Sequence, residues 1–208
     1  VILIPLIFWH GVFFSHTFIK TIVFYAVTEL AFVLWVMLAV VRKEYYPRLS
    51  AVSRTFAVFL VLMGVSSFVG VDTSNSVWSG YERMFGFVTW LHMGAFLLVL
   101  SCVVRGEREW NRIFICNAVT ATLVAAFGAW QWFTTADLSI YTMGNEAYLS
   151  SYLVPMFFIT SMLLVSCERF TKSAWMYIGA LVLFFVALVG TQARAGVVGQ
   201  HLAEPWLA

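Results

Sequence analysis

Apolar runs of about 20 residues recur along most of this 208-residue chain, and each is long enough to cross roughly 30 Å of hydrocarbon as a helix. A soluble core has no use for so many of them. Hydrophobic residues make up 62% of the chain and charged residues only 11%, so there is too little polar surface to face water on all sides. A transmembrane barrel would need segments of about ten residues with alternating polarity, whereas Phe96 to Val104 and Leu181 to Val189 are apolar on every side. Inside a bilayer the backbone must then satisfy its own hydrogen bonds, which leaves helices. The sequence therefore predicts an all-α, polytopic transmembrane helical bundle.

Hydropathy places seven spans near residues 1–14, 20–41, 55–70, 85–104, 113–133, 149–167 and 174–192. The connectors 42–54, 71–84, 105–112, 134–148 and 168–173 are too short to hold a soluble domain. Residues 1–196 read as one transmembrane domain and 197–208 as a truncated or atypical tail. After Gly196 a further span is due, but Gln200, His201, Glu204 and Pro205 interrupt it, so the expectation is a piece of a longer membrane protein. Val1 to Phe14 lacks a charged n-region and a small-residue cleavage site, and reads as a first span rather than a signal peptide.

Lys and Arg near span ends mark cytoplasmic loops. With the second connector inside, nine of the twelve basic residues fall on the inner side: Arg42, Lys43, Arg48, Arg54, Arg105, Arg108, Arg112, Arg169 and Lys172. The N-terminus is then cytoplasmic, and Lys20, Arg83 and Arg194 lie on the outer side. Cys102, Cys116 and Cys167 read as buried, reduced thiols without disulfide or metal-ligand spacing.

Signatures of soluble enzymes are missing: there is no P-loop, dinucleotide fingerprint, H-E-x-x-H or Asp-x-Asp. No basic run suits nucleic acid. Three outward cations remain, each with two readings. Arg194, in Thr191-Gln192-Ala193-Arg194-Ala195-Gly196, is either a guanidinium that snorkels to the headgroups or a fork of donors for a phosphate. Arg83 pairs with Glu82 or Asp72 to order its loop, or meets an anion; Lys20 anchors its span at the interface, or does the same. Glu29, near the middle of the second span, is expected to be protonated or paired inside the bundle, because an ionised carboxylate there costs at least about 2.5 kcal/mol. His10, His16 and His92 read as interfacial or interhelical hydrogen-bonding residues rather than metal ligands. Trp78, Trp90, Trp130, Trp132, Tyr141 and Tyr148 read as an aromatic belt, and Ala121, Ala125 and Ala129 as a packing stripe.

Three segments in order resemble the O-antigen ligase and O-antigen polymerase family of bacterial membrane glycosyltransferases. These are Gly70-Val71-Asp72 with Tyr81 to His92, Met143-Gly144-Asn145-Glu146 running to Pro155, and Thr191 to Gly196, which is similar to the family's Thr-Gly-Ser-Arg-Gly motif. The resemblance implies a bundle of the membrane glycosyltransferase type-C class in the bacterial inner membrane, with its active face periplasmic. It implies transfer of a glycan from undecaprenyl diphosphate to lipid A core, a polysaccharide or a protein, without metal, nucleotide or other cofactor. Arg194 would hold the pyrophosphate, with Arg83 and Lys20 contributing and Asp72, Glu82 and Asn145 supporting the loops. No general base is named, because the family's His-bearing outer loop would follow residue 208, and these residues alone are expected to be inactive. Two other classes fit outward cations: a transporter or flippase of amphipathic anions, marked by midplane ionisable groups in related halves, and a non-catalytic assembly subunit whose cations only touch lipid phosphates.

Overall fold

The computed structural model describes residues 1–7, 17–47, 50–80, 84–135, 143–144, 146–168 and 171–203, except for the side chains of 135 and 191–203. Among the described residues every long element is a helix. These are α1 (Phe18–Val41), α2 (Ala51–Val69), α3 (Thr73–Trp78), α4 (Phe87–Val103), α5 (Glu107–Thr135), α6 (Glu146–Val165) and α7 (Lys172–Ala203), with 3-10 turns at Ile4–Leu6 and Lys43–Tyr45.

Five of these helices, α1, α2, α5, α6 and the Lys172–Gly190 part of α7, are long and apolar enough to cross a membrane, and α4 is a shorter apolar helix. The chain is thus an all-helical, multi-pass membrane protein by the length and composition of its helices. Seven spans are not reached among the described residues. Residues 2–6 form turns where a first span was expected, with Pro5 inside the 3-10 segment, and 8–14 lie outside the described residues.

Helix starts follow the local chemistry. Ser50 caps α2, its hydroxyl accepting from the Ser53 amide at 3.1 Å. Asp72 caps α3, a helix hidden within the expected connector 71–84, by accepting from the Asn75 amide at 2.9 Å. Glu109 reaches back to the amides of Arg105 (2.9 Å) and Gly106 (3.3 Å), starting α5 six residues before the expected span. Arg108 and Arg112 are therefore on the first turns of a helix rather than in a connector. Thr171 accepts from the Ala174 amide at 3.2 Å and starts α7. That helix does not stop at 192. It runs through Thr191–Gly196 to Ala203, since no proline interrupts Lys172–Ala203.

The chain divides into two compact units, one comprising Val1 and Ile7–Trp110 and the other Ile2–Leu6 and Asn111–Ala208. In the first unit α1 and α4 run parallel. Tyr25 meets Thr89, Glu29 meets His92, Trp35 and Ala39 cluster with Cys102, and Arg105 lies 4.7 Å over the Tyr45 ring, so the register advances in the same direction along both helices. Helix α2 returns antiparallel along α4, with Phe59 edge-on to Trp90 at 5.2 Å and Phe68 edge-on to Phe87 at 6.3 Å. In the second unit Ala121, Val124 and Ala125 of α5, Leu149 and Leu153 of α6, and Ala180, Phe184 and Ala187 of α7 form one buried cluster. Of the expected alanine stripe, Ala121 and Ala125 are part of that cluster, and Ala129 is buried as well.

Candidate functional site

The expected anion-binding residues do not assemble into one described site. Lys20 stands in the first turn of α1 and is half-buried. Asp72 caps α3, so its carboxylate serves the helix start. Because α1 and α4 run parallel and α2 leads into α3, Lys20 and Asp72 share one end of the first unit, opposite to Arg42, Lys43 and Arg105. Arg83, Glu82 and Asn145 lie outside the described residues, as do His10, His16 and Tyr141. Arg194 belongs to the second unit, with its backbone helical within α7. The segment around Arg83 is flanked by Ser79 (φ 63°) and Met84 (φ 49°), two non-glycine residues in the left-handed region. Such residues cost about 1–2 kcal/mol each and persist only where the surroundings hold them. Met84 is held by two hydrogen bonds: its amide donates to the Gly80 carbonyl at 3.0 Å, and its carbonyl accepts from the Thr89 hydroxyl.

Other expectations divide. Cys102 is buried, but Cys116 is exposed and Cys167 is half-buried, since apolar surface facing lipid needs no protein cover. Trp78, Trp130 and Tyr148 are exposed as an interfacial belt requires, whereas Trp90 packs on Phe59 and Trp132 packs against the core of the second unit.

The best-formed polar constellation is one that residue types alone did not assemble. Glu29 and His92, 63 positions apart, meet across α1 and α4 with Oε1 to Nε2 at 3.1 Å. The other ring nitrogen, Nδ1, lies 2.8 Å from the Val88 carbonyl one turn back in α4. Tyr25 stacks on the imidazole with ring centroids 4.0 Å apart and planes 18° from parallel. The Tyr25 hydroxyl shares a hydrogen bond of 2.5 Å with Thr89, which in turn donates to Met84. Beside the pair is a pocket of about 170 Å³ lined by Thr28, Glu29, Phe32, Leu91, His92 and Ala95. Thr28 is 1% exposed, and its hydroxyl has no hydrogen-bond partner among the described residues. Of the Glu29 side chain 68% is uncovered, against 17% for His92, so the carboxylate is at the mouth of the pocket and the ring forms its wall.

Glu29 stands about 17 Å from either end of α1, at roughly 1.5 Å per residue, which is the middle of that apolar helix. A carboxyl group in an apolar helix needs a partner or a proton, and His92 is that partner. Among the described residues no group of three His, Cys, Asp or Glu could hold a metal ion.

No protein-family model, curated protein or solved structure matches the chain.

Proposed function

We propose that this chain works in a membrane glycosyltransferase of the O-antigen ligase type. The reaction moves a glycan from undecaprenyl diphosphate to lipid A core, a polysaccharide or a protein at the outer face of the bacterial inner membrane, releasing the polyprenyl diphosphate. No metal or nucleotide takes part. Arg194 contacts the pyrophosphate and offsets the charge that builds on it as the glycosidic bond breaks. Lys20 and Arg83 are further anion contacts, carried by the first unit.

One observation carries the reading. Helix α7 is continuous, and from Lys172 to Arg194 it rises about 33 Å at roughly 1.5 Å per residue, close to the thickness of a hydrocarbon core of about 30 Å. With Lys172 at one boundary, Arg194 is at the other, where headgroups and lipid diphosphates reside, and the polar motif follows the apolar stretch Lys172–Gly190 without a break. The order of the three family-like segments adds to this.

The test is Arg194→Ala and Arg194→Lys in the intact gene product, with glycan transfer measured at matched protein level. Transfer should fall about 100-fold or more in Arg194→Ala, with only partial recovery in Arg194→Lys, because an ammonium keeps the charge but loses the fork of donors. Full activity in either variant removes Arg194 from the reaction. A transporter of amphipathic anions is the second reading, favoured by the intramembrane pair Glu29 and His92. It would translocate the lipid-linked glycan without making a glycosidic bond, so product analysis separates the two.

A further inference from the structure

We propose that Glu29 and His92 form an intramembrane proton-binding site in which the carboxyl and the imidazole hold one proton between them, closing α1 against α4. A backbone carbonyl can only accept, so the 2.8 Å contact of His92 Nδ1 with the Val88 carbonyl puts a proton on Nδ1. If Nε2 were then bare and Glu29 ionised, two lone pairs would face each other across 3.1 Å. A proton on the Nε2–Oε1 line removes the conflict. It sits either on the acid, donating to nitrogen, or on the ring, donating to the carboxylate.

Both arrangements leave the pair with no net charge. The alternative is a lone carboxylate at mid-bilayer, which costs at least about 2.5 kcal/mol. Uptake is simple: hydronium delivers a proton, one O–H or N–H bond forms, and water leaves. Among the described residues the other charged group of α1, Lys20, stands in its first turn, about two and a half turns from Glu29. On α1, Tyr25 covers the ring face, and its hydroxyl is engaged with Thr89. On α4, Leu91 and Ala95 are apolar. Helix α2 contacts α4 through Phe59 at Trp90 and carries only Arg54 as a charged residue, while α3 carries none. The turn after α1 brings Lys43, Glu44 and Tyr45, where Glu44 pairs with Arg42 at 3.5 Å and Tyr45 lies under Arg105.

The folded pair holds one proton that a free carboxylate and a neutral imidazole do not hold, so the folded state binds more protons and stability falls as pH rises. The folding equilibrium should weaken by up to tenfold per pH unit over the range in which the folded pair keeps that proton and the unfolded chain has released it, and level off once the pair gives it up. The experiment uses the whole chain in nanodiscs of neutral lipid, with thermal unfolding followed across an alkaline titration. Glu29→Gln is the decisive variant, because its amide donates to Nε2 at every pH and keeps the helix contact without a titrating proton. The proposal expects a falling midpoint in the unaltered chain that is flatter in Glu29→Gln, and an unchanged slope in Tyr25→Phe. Superimposable curves for the unaltered chain and Glu29→Gln overturn it. A second measurement does not depend on unfolding: ¹⁵N-histidine spectra, with His92 assigned by His92→Gln, should show Nδ1 protonated and Nε2 titrating only while Glu29 is present. A bare Nδ1, or an Nε2 response indifferent to Glu29→Gln, also overturns the proposal. Neither readout involves glycan transfer, so failure here leaves the Arg194 test standing, and the reverse holds as well.

Discussion

The two units solve the same problem, joining helices in a solvent as apolar as their side chains, by different means. In the first, α1, α2 and α4 are joined by polar and aromatic contacts: the Glu29–His92 pair, the Tyr25–Thr89 hydrogen bond, and the edge-on rings of Phe59 with Trp90 and Phe68 with Phe87. In the second, α6 and α7 pack against each other, and Ala121 and Ala125 of α5 share one buried cluster with Ala180, Phe184 and Ala187 of α7 and Leu149 and Leu153 of α6. There Asn117, Thr122 and Ser161 donate their side-chain hydrogen bonds to the carbonyl one turn back in their own helix. Lipid tails give no hydrophobic drive for helix association, so what remains is close packing or hydrogen bonding. The packed unit is the one suited to a fixed scaffold. The polar unit holds its helices by contacts that a proton can make or break.

The largest expected effect tests the packed half. Phe184 is fully buried, and Phe184→Ala leaves a void on the order of 100 Å³, which at roughly 24 cal/mol per Å³ costs about 2 kcal/mol. Hydrogen exchange resolved by helix should show the loss in α5, α6 and α7, with protection in α1 to α4 unchanged. If protection falls equally in both, the distinction between the units does not hold.

A somewhat smaller effect tests the polar half at its tightest backbone approach. A β-carbon at Gly86 would lie within 2.7 Å of the Val77 carbonyl carbon and 2.6 Å of the Trp78 carbonyl carbon, so α3 and the start of α4 could not both keep their places. Gly86→Ala should cost about 1.5–2 kcal/mol, within the overpacking range, because the atoms it would meet are backbone and cannot swing aside like a side-chain tip. In the second unit, a β-carbon at Gly128 would meet only the tip of Leu149 at 3.2 Å, and Gly128→Ala should be milder. The reverse order of the two melting points would show that the first unit is the looser one at its backbone.

How far these features could be read from residues alone depends on where water is. The membrane class and the helix positions were legible because hydropathy reports directly on the solvent: 20–41 became Phe18–Val41 and 149–167 became Glu146–Val165. Helix faces were not legible, because spans that are apolar all round carry no period to show which side meets a neighbour. Glu29 was therefore noticed without His92, although both were singled out, since nothing local says that α1 and α4 run side by side. The short α3 did leave a signal, Asp72 three residues ahead of Asn75, inside a stretch taken for a connector. Of the site residues, the positions of Lys20 and Asp72 follow from the helix ends, and Arg194 falls on a helix that hydropathy alone ended too early.

The smallest effect sharpens the comparison by asking where it should vanish. Ser50 and Thr171 start α2 and α7, one in each unit, and each hydroxyl accepts from an amide three residues on, at 3.1 Å and 3.2 Å. Both sit at span ends, where water competes for the same donors, so the bilayer chemistry that separates the units does not reach them. Ser50→Ala and Thr171→Ala should therefore cost similar amounts, roughly 0.5–1 kcal/mol each, read as paired shifts in the thermal midpoint. Unequal shifts beyond that range would mean that the contrast between the units extends past the hydrocarbon into the caps, and that packing against Phe184 is not its source.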